Sequence, residues 1–238
     1  MRSAARSSGT SFAASLAACV ALAAPARAAN GPLAVAEAVR MPYAPVVRVV
    51  DTASSLGPLA AEPQVVTLAD LVRFHGHPCD GLVVAAAGIG EGLKRLFPGG
   101  VVDRTDLVAA VNRSACYGDA AAYLTGARSR YGSLVVDPSL GDEWIIARRS
   151  TGTCVRVTLR VGFKPPELAG LEGELRAAAC PSGLIDAVQG VQRRFALAVL
   201  AVPPERAFEV QALPRFPYPA GEARPDTAKR GCGRVSSE

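Results

Sequence analysis

Histidine is almost missing from this chain: 238 residues contain only His75 and His77. Tryptophan occurs once, and aromatic residues make up 5%. The formal net charge is +5, with no dense Lys/Arg run. A nucleic-acid partner is therefore not expected, because such proteins gather basic residues on one face. No internal repeat is visible. There is no Cys-x-x-Cys, which excludes a thioredoxin-type dithiol, a haem c attachment site and a zinc ribbon. No apolar run reaches the roughly 20 residues of a membrane-spanning helix. Gly88-Ile89-Gly90 lies inside a helical pattern with no strand before it, so helix packing explains it better than nucleotide binding.

What is there begins with a processing segment. Arg2 and Arg6 precede a short apolar run, Phe12 to Ala24, and Ala26-Arg27-Ala28 is a small-x-small cleavage pattern. Residues 1–28 are read as a signal peptide, with a mature start at Ala29 and a periplasmic or secreted product. Leu16-Ala17-Ala18-Cys19 also looks like a lipobox. A lipidated Cys19 would be the one route to a membrane, but the apolar run continues past it through Val20-Ala21-Leu22.

Removing 28 of the 238 residues leaves 210, half of them apolar across the chain, enough for one domain with a full core. Residues 29–66 read as an extended lead-in with a strand at Val46–Val50, residues 67–213 as the folded domain, and 214–238 as a flexible tail rich in Pro, Gly and charge. Thr67 is an N-cap candidate for a short helix leading to Arg73. A second helix, 81–97, is stopped by Pro98-Gly99-Gly100. A strand at 106–113 precedes a short helix ended by Gly126. Strands are expected at 133–137, 144–149 and 153–161, separated by turn signals. In the last of these, Val155, Val157, Leu159 and Val161 would share one face. Helices at 168–179 and 183–201 follow, then a brief strand or turn at 205–210. The fold class is α+β: an antiparallel sheet of about four to six strands with helices packed on one face.

Six cysteines are encoded. Loss of Cys19 with the leader leaves five in an oxidising compartment: Cys79, Cys116, Cys154, Cys180 and Cys232. An odd number requires at least one thiol that is free, metal-bound or paired outside the chain. A structural disulfide such as Cys180–Cys232 stays open.

Both histidines stand beside a cysteine in Phe74-His75-Gly76-His77-Pro78-Cys79-Asp80-Gly81-Leu82. Their i, i+2, i+4 spacing places three donors on one side of an extended segment. Cys79 falls at or just before a helix N-terminus, where the dipole favours a thiolate. Asp80 caps that helix or turns its carboxylate toward the site. The second informative stretch is Cys116-Tyr117-Gly118-Asp119 through Tyr123 to Gly126. Cys116 and Asp119 share a helical face, and Tyr123 follows one turn along it. His75, His77, Cys79 and Cys116 are thus candidate metal ligands, His75 the least secure. Asp119 and Tyr123 are candidates to contact the bound group. Nitrogen and sulfur donors suit zinc first, with nickel, copper, iron or haem iron as alternatives, and disfavour calcium and magnesium. Two rivals remain open: a thiol enzyme with Cys79 or Cys116 as nucleophile and a histidine as base, and a Cys79–Cys116 disulfide.

His-Gly-His-x-Cys-x-Gly-Leu, then Cys-x-x-Asp-Ala about forty residues later, then Leu-Thr-Gly, resembles the FmdE family, named for a component of formylmethanofuran dehydrogenase. The resemblance runs from about Leu68 to Ala212 and includes Gly132-Ser133-Leu134, Val155-Arg156-Val157 and Phe208-Glu209-Val210. It implies an α+β core, usually dimeric, with a metal-associated cleft near the histidine and cysteine motifs. A homodimer is therefore an expected assembly, beside a metal or metallocofactor as partner. The chain departs from the family in three places. Cys-Pro-Gly is here Cys79-Asp80-Gly81. Leu-Thr-Gly-Cys-Thr is Leu124-Thr125-Gly126-Ala127-Arg128. Gly-Lys-Gly-Asn is Arg130-Tyr131-Gly132-Ser133. The C-terminal zinc finger of some members is absent, since Cys232 alone cannot build one. An exported protein also cannot work beside a cytoplasmic dehydrogenase, so the family's name is not carried over as the activity.

Overall fold

The computed structural model describes residues 31–53, 60, 62–178 and 182–221. The leader, Cys19, Cys180 and Cys232 lie outside these residues, and with them the signal-peptide reading and the Cys180–Cys232 pairing.

The organising element is α3 (Asp80–Leu96), which is buried on nearly every side. Its sequence explains how: Ala85, Ala86, Ala87, Gly88, Gly90 and Gly92 give it a slim profile, so neighbours can close in all round. It lies across a five-stranded sheet, packing on β6 (Glu143–Arg148) and β7 (Cys154–Leu159), with α4 (Ala115–Thr125) and α6 (Ser182–Leu200) beside it. Gly88 is where α3 meets the core's largest side chain. A Cβ there would stand 2.6 Å from Trp144 Cζ3 and 3.1 Å from Phe208 Cε1. Trp144 is fully buried and also packs on Tyr117, with ring centroids 4.8 Å apart.

The sheet has the order β5-β4-β6-β7-β8, with β4 at Leu107–Val111, β5 at Leu134–Val136 and β8 at Phe208–Leu213. β4/β6, β6/β7 and β7/β8 are antiparallel, as expected from the turn-separated strands. β4 and β5 pair in parallel, because α4 carries the chain back between them in a crossover. Val155 and Val157 face α3, as alternation implies, but Val161 is fully exposed, since the strand stops at Leu159. The helices α3, α4 and α6 cover one face. On the other face Val108, Ala110, Ile145, Ala147 and Cys154 are covered by Leu140 and by Leu213, Phe216 and Tyr218. Part of the expected loose tail therefore packs: Tyr218 Oη donates to Asp137 Oδ2 at 2.7 Å, and Gly221 N donates to Gly132 O at 3.0 Å.

The expected lead-in is also more than extended chain. It contains α1 (Val35–Ala38), the expected strand as β1 (Val46–Val50), and β2 (Gln64–Thr67). With β3 (Val101–Asp103) these strands form a second sheet of order β2-β1-β3, β1/β2 antiparallel and β1/β3 parallel. Leu33, Ala38, Val47, Val49 and Val66 are buried in the main core, so a boundary at residue 67 would cut through packed structure. The single inward-facing valines of β1 alternate with exposed positions, too short a signal to anchor a domain edge in sequence. The remaining helices are α2 (Leu68–His75), α5 (Pro166–Ala177) and α7 (Pro204–Ala207). Among the described residues no helix is long and apolar enough to cross a membrane.

Candidate metal centre

α2 begins at Thr67, as its sequence suggests, with Asp70 Oδ2 accepting from Thr67 N at 2.9 Å. It continues through His75 and ends on Gly76, whose φ of +102° is a left-handed C-cap. The chain then turns through His77-Pro78, and Cys79 becomes the N-cap of α3, with Sγ accepting from Leu82 N at 3.4 Å. His75, His77 and Cys79 are therefore not on one extended segment. His75 is helical, and the left-handed glycine sends His77 elsewhere. His75 and Cys79 face one another across the corner, Nε2 to Sγ 3.7 Å.

Cys116 arrives from the other side, in the first turn of α4. The β4–α4 link is pinned by Asn112, which accepts from Ser114 N at 2.8 Å and donates to Gly141 O at 2.8 Å. Gly81 allows the approach: a Cβ at that position would lie 3.1 Å from both Cβ and Sγ of Cys116. The two sulfurs stand 3.3 Å apart as free thiols. A disulfide needs about 2.05 Å, so the structure holds the pair reduced. The donor atoms of His75, Cys79 and Cys116 all lie within 4.8 Å of one another, the one such group of three among the described residues.

Asp119, one turn along α4 from Cys116, accepts from His75 Nδ1 at 2.8 Å. This fixes the tautomer and directs the Nε2 lone pair toward the sulfurs. The His75 side chain is 5% exposed and that of Asp119 40%, so the ring is enclosed while the carboxylate stays wet. The shared helical face of Cys116 and Asp119 thus serves two sides of one histidine. His77 is exposed and lies outside the group of three, its ring centroid 4.5 Å from that of His75. Tyr123 packs on Phe74, centroids 5.2 Å apart, and its carbonyl accepts from Arg104; its ring stands beside the centre.

The electrostatics of the pair differ from the expectation that the α3 dipole would favour a Cys79 thiolate. The two thiols share one proton across their hydrogen bond. The hydrogen bond from Cys79, helped by Ser114 and His75 against burial, holds the Cys116 thiol down at about 5. The Cys79 thiol is pushed up, first by that same bond and then by burial, and the Leu82 N–H offsets only part of this. Cys116 also sits in the first turn of its own helix, where thiolates are favoured. Asp80, the first residue of α3, is pushed up to about 6 by burial, with Glu172 and Cys116 adding like charge.

A titration in metal-free protein checks the order. Iodoacetamide should alkylate Cys116 with a midpoint near 5, against about 8.5 for an ordinary thiol. The folded-state value is depressed, so its contribution to stability is present above the unfolded value and is lost as pH falls toward about 5. A midpoint near 8.5 would remove the shared proton.

Both thiols line a cavity of about 500 Å³ between α3, α4 and α6, together with Asp80, Tyr117, Asp142, Lys164, Glu172 and Arg193. His77 stands at it too. A tetrahedral site with sulfur at about 2.3 Å and nitrogen at about 2.0–2.1 Å has donor–donor edges of roughly 3.5–3.8 Å. The observed 3.3 and 3.7 Å come close to those edges, and the soft donor set suits a transition metal.

An α+β domain with a two-thiol, one-imidazole centre at a helix–turn–helix corner is thus the class that fold and site define. The family model described as FmdE, molybdenum formylmethanofuran dehydrogenase operon, matches residues 74–209, and the chain belongs to this family. No curated protein matches it. Among solved structures it is similar to an FmdE-like protein of the tungsten formylmethanofuran dehydrogenase type from Syntrophus aciditrophicus. Identity is 19% over 64% of this chain and 74% of that one, with a TM-score of 0.42.

Proposed function

We propose that this is an exported protein that binds a transition metal, or a metallocofactor through its metal, with His75, Cys79 and Cys116 as ligands. The observation that carries the reading is the convergence of three soft or borderline donor atoms within 4.8 Å, brought together from separate helices. The Asp119–His75 bond supports it, because metal-ligating histidines almost always donate their other ring nitrogen to a carboxylate or carbonyl. Zinc is the first choice, with nickel, copper, iron or haem iron left to elemental analysis and an absorption spectrum of natively purified protein. Bound metal would supply Lewis acidity or redox chemistry; the chain's own residues orient the imidazole, hold the two thiolates and shape the cavity.

Asp119→Asn is the informative variant beside the centre. Outer partners of this kind are worth about 10–100-fold in metal affinity, and a loss in that range is expected by competition with a chromogenic chelator. An unchanged affinity would reduce the Asp119–His75 bond to a structural contact.

The same geometry supports a second reading, a thiol enzyme. Cys116 has a depressed thiol and His75 close to it, as a nucleophile with its base would. Metal content separates the two. A metal-bound thiolate is shielded from iodoacetamide until a chelator is added, whereas a catalytic thiol reacts in protein as purified.

Export and processing belong to the proposal as well. The mature N-terminus should be Ala29 in soluble periplasmic material, with a homodimer as its assembly state. Edman sequencing that began at a lipid-modified Cys19 would replace this by membrane anchoring.

A further inference from the structure

The cavity in front of the thiols is lined by charges of both signs, but they are not equally available. Lys164 is held by Asp142, Nζ to Oδ2 3.1 Å, and Asp142 also accepts from Tyr117 Oη at 2.6 Å. Arg193 is held by Glu37, Nε to Oε2 2.8 Å. Each cation in the wall is therefore already matched to a carboxylate. Glu172 accepts from Gln192 at 3.2 Å and has Arg176 at 3.9 Å. Asp80 is different. Among the described residues it forms no ion pair, it is half-buried, and it follows Cys79 directly at the cavity wall. It also stands where the family pattern has proline, so it is a property of this protein.

The donor set leaves room beside it. His75, Cys79 and Cys116 supply three ligands, and a tetrahedral metal takes four. Cys79 and Cys116 line the cavity while His75 is enclosed behind them. We propose, resting on the metal-binding function, that the fourth position opens into this cavity and receives a small ligand from outside the chain, and that Asp80 selects ligands carrying a positive charge next to the donor atom. The class that fits is the small aminothiol or diamine: a soft or borderline donor for the metal and an ammonium for the carboxylate. With two thiolates neutralising a divalent ion, Asp80 and Glu172 leave the wall net negative around the open position. A carboxylate-bearing ligand is repelled there.

Cobalt(II) as the probe metal makes both steps visible. Protein loaded with cobalt should show thiolate-to-metal charge-transfer bands and tetrahedral d–d bands. It is then titrated near pH 8, above the value of about 6 to which Asp80 is raised, with cysteamine and separately with 3-mercaptopropionate. The two share a thiol donor and differ in the charge of the tail. Cysteamine should shift the d–d bands at roughly tenfold lower concentration, the scale of one charged hydrogen bond. Asp80→Asn should bring the two ligands to within about twofold, at unchanged cobalt affinity. Should that variant not fold, the wild-type ratio and its collapse at high salt carry the test alone. Charge-transfer bands with d–d bands that neither ligand shifts would close the fourth position, with His77 the first residue to check, and would leave the metal-binding function intact. Equal or reversed affinities would remove Asp80 as the selector. Absence of thiolate bands would overturn metal binding itself, and this inference with it.

Discussion

Replacing Cys116 by Ser, or His75 by Ala, should cost more metal affinity than any change outside the donor set. Loss of an outer partner costs about 10–100-fold, and removal of one of three donors must exceed that, so binding should fall by at least about a hundredfold. His77→Ala should change it by less than about tenfold, because that ring is exposed and lies outside the three converging donors. The fold should survive these substitutions. Cys116 is only partly buried, and the enclosed His75 lies on the last turn of α2 rather than in the central core. Circular dichroism and a chelator competition on the same samples would decide the matter. An equal loss for His77→Ala and His75→Ala would restore the extended-segment arrangement in which both histidines ligate.

The largest effect on stability should come from Gly88→Ala. In an open helix this change is favourable by roughly 0.5–1 kcal/mol, because alanine has less backbone freedom to lose. At Gly88 the added methyl meets Trp144 at 2.6 Å and 2.9 Å. Trp144 cannot withdraw, since Tyr117 and Phe208 pack against it. Overpacking of a closed core costs about 1–3 kcal/mol, and this site belongs at the upper end. Gly118→Ala in α4 is the control. Nothing lies within 4 Å of its added Cβ, so the full helical gain should appear. Thermal unfolding should therefore place Gly118→Ala above the parent and Gly88→Ala several degrees below it. Two variants moving in the same direction would mean that α3 does not lie against Trp144 as described.

Elements whose signal is local were legible in the chain. Thr67 before an apolar-periodic run, Pro98-Gly99-Gly100 after another, and Gly126 after a third mark helix ends through capping and φ preferences that need no partner. Strand alternation named the inward side of β7 for the same reason. Cys116 and Asp119 were paired by the helical repeat alone. What needed tertiary structure was anything set by a turn's direction or by two distant segments meeting. Three residues spaced i, i+2, i+4 converge if the backbone is extended and diverge if a left-handed glycine stands between them; Gly76 takes the second course, so His75 joins the cysteines and His77 does not. The helix dipole named Cys79 as the thiolate, but a second thiol 3.3 Å away, from a helix that only Gly81 lets approach, moves the charge to Cys116. Asp80 was an ambiguous cap in the sequence. It became the unpaired charge of a cavity once α3, α4 and α6 were assembled and every other charge around it had found its partner.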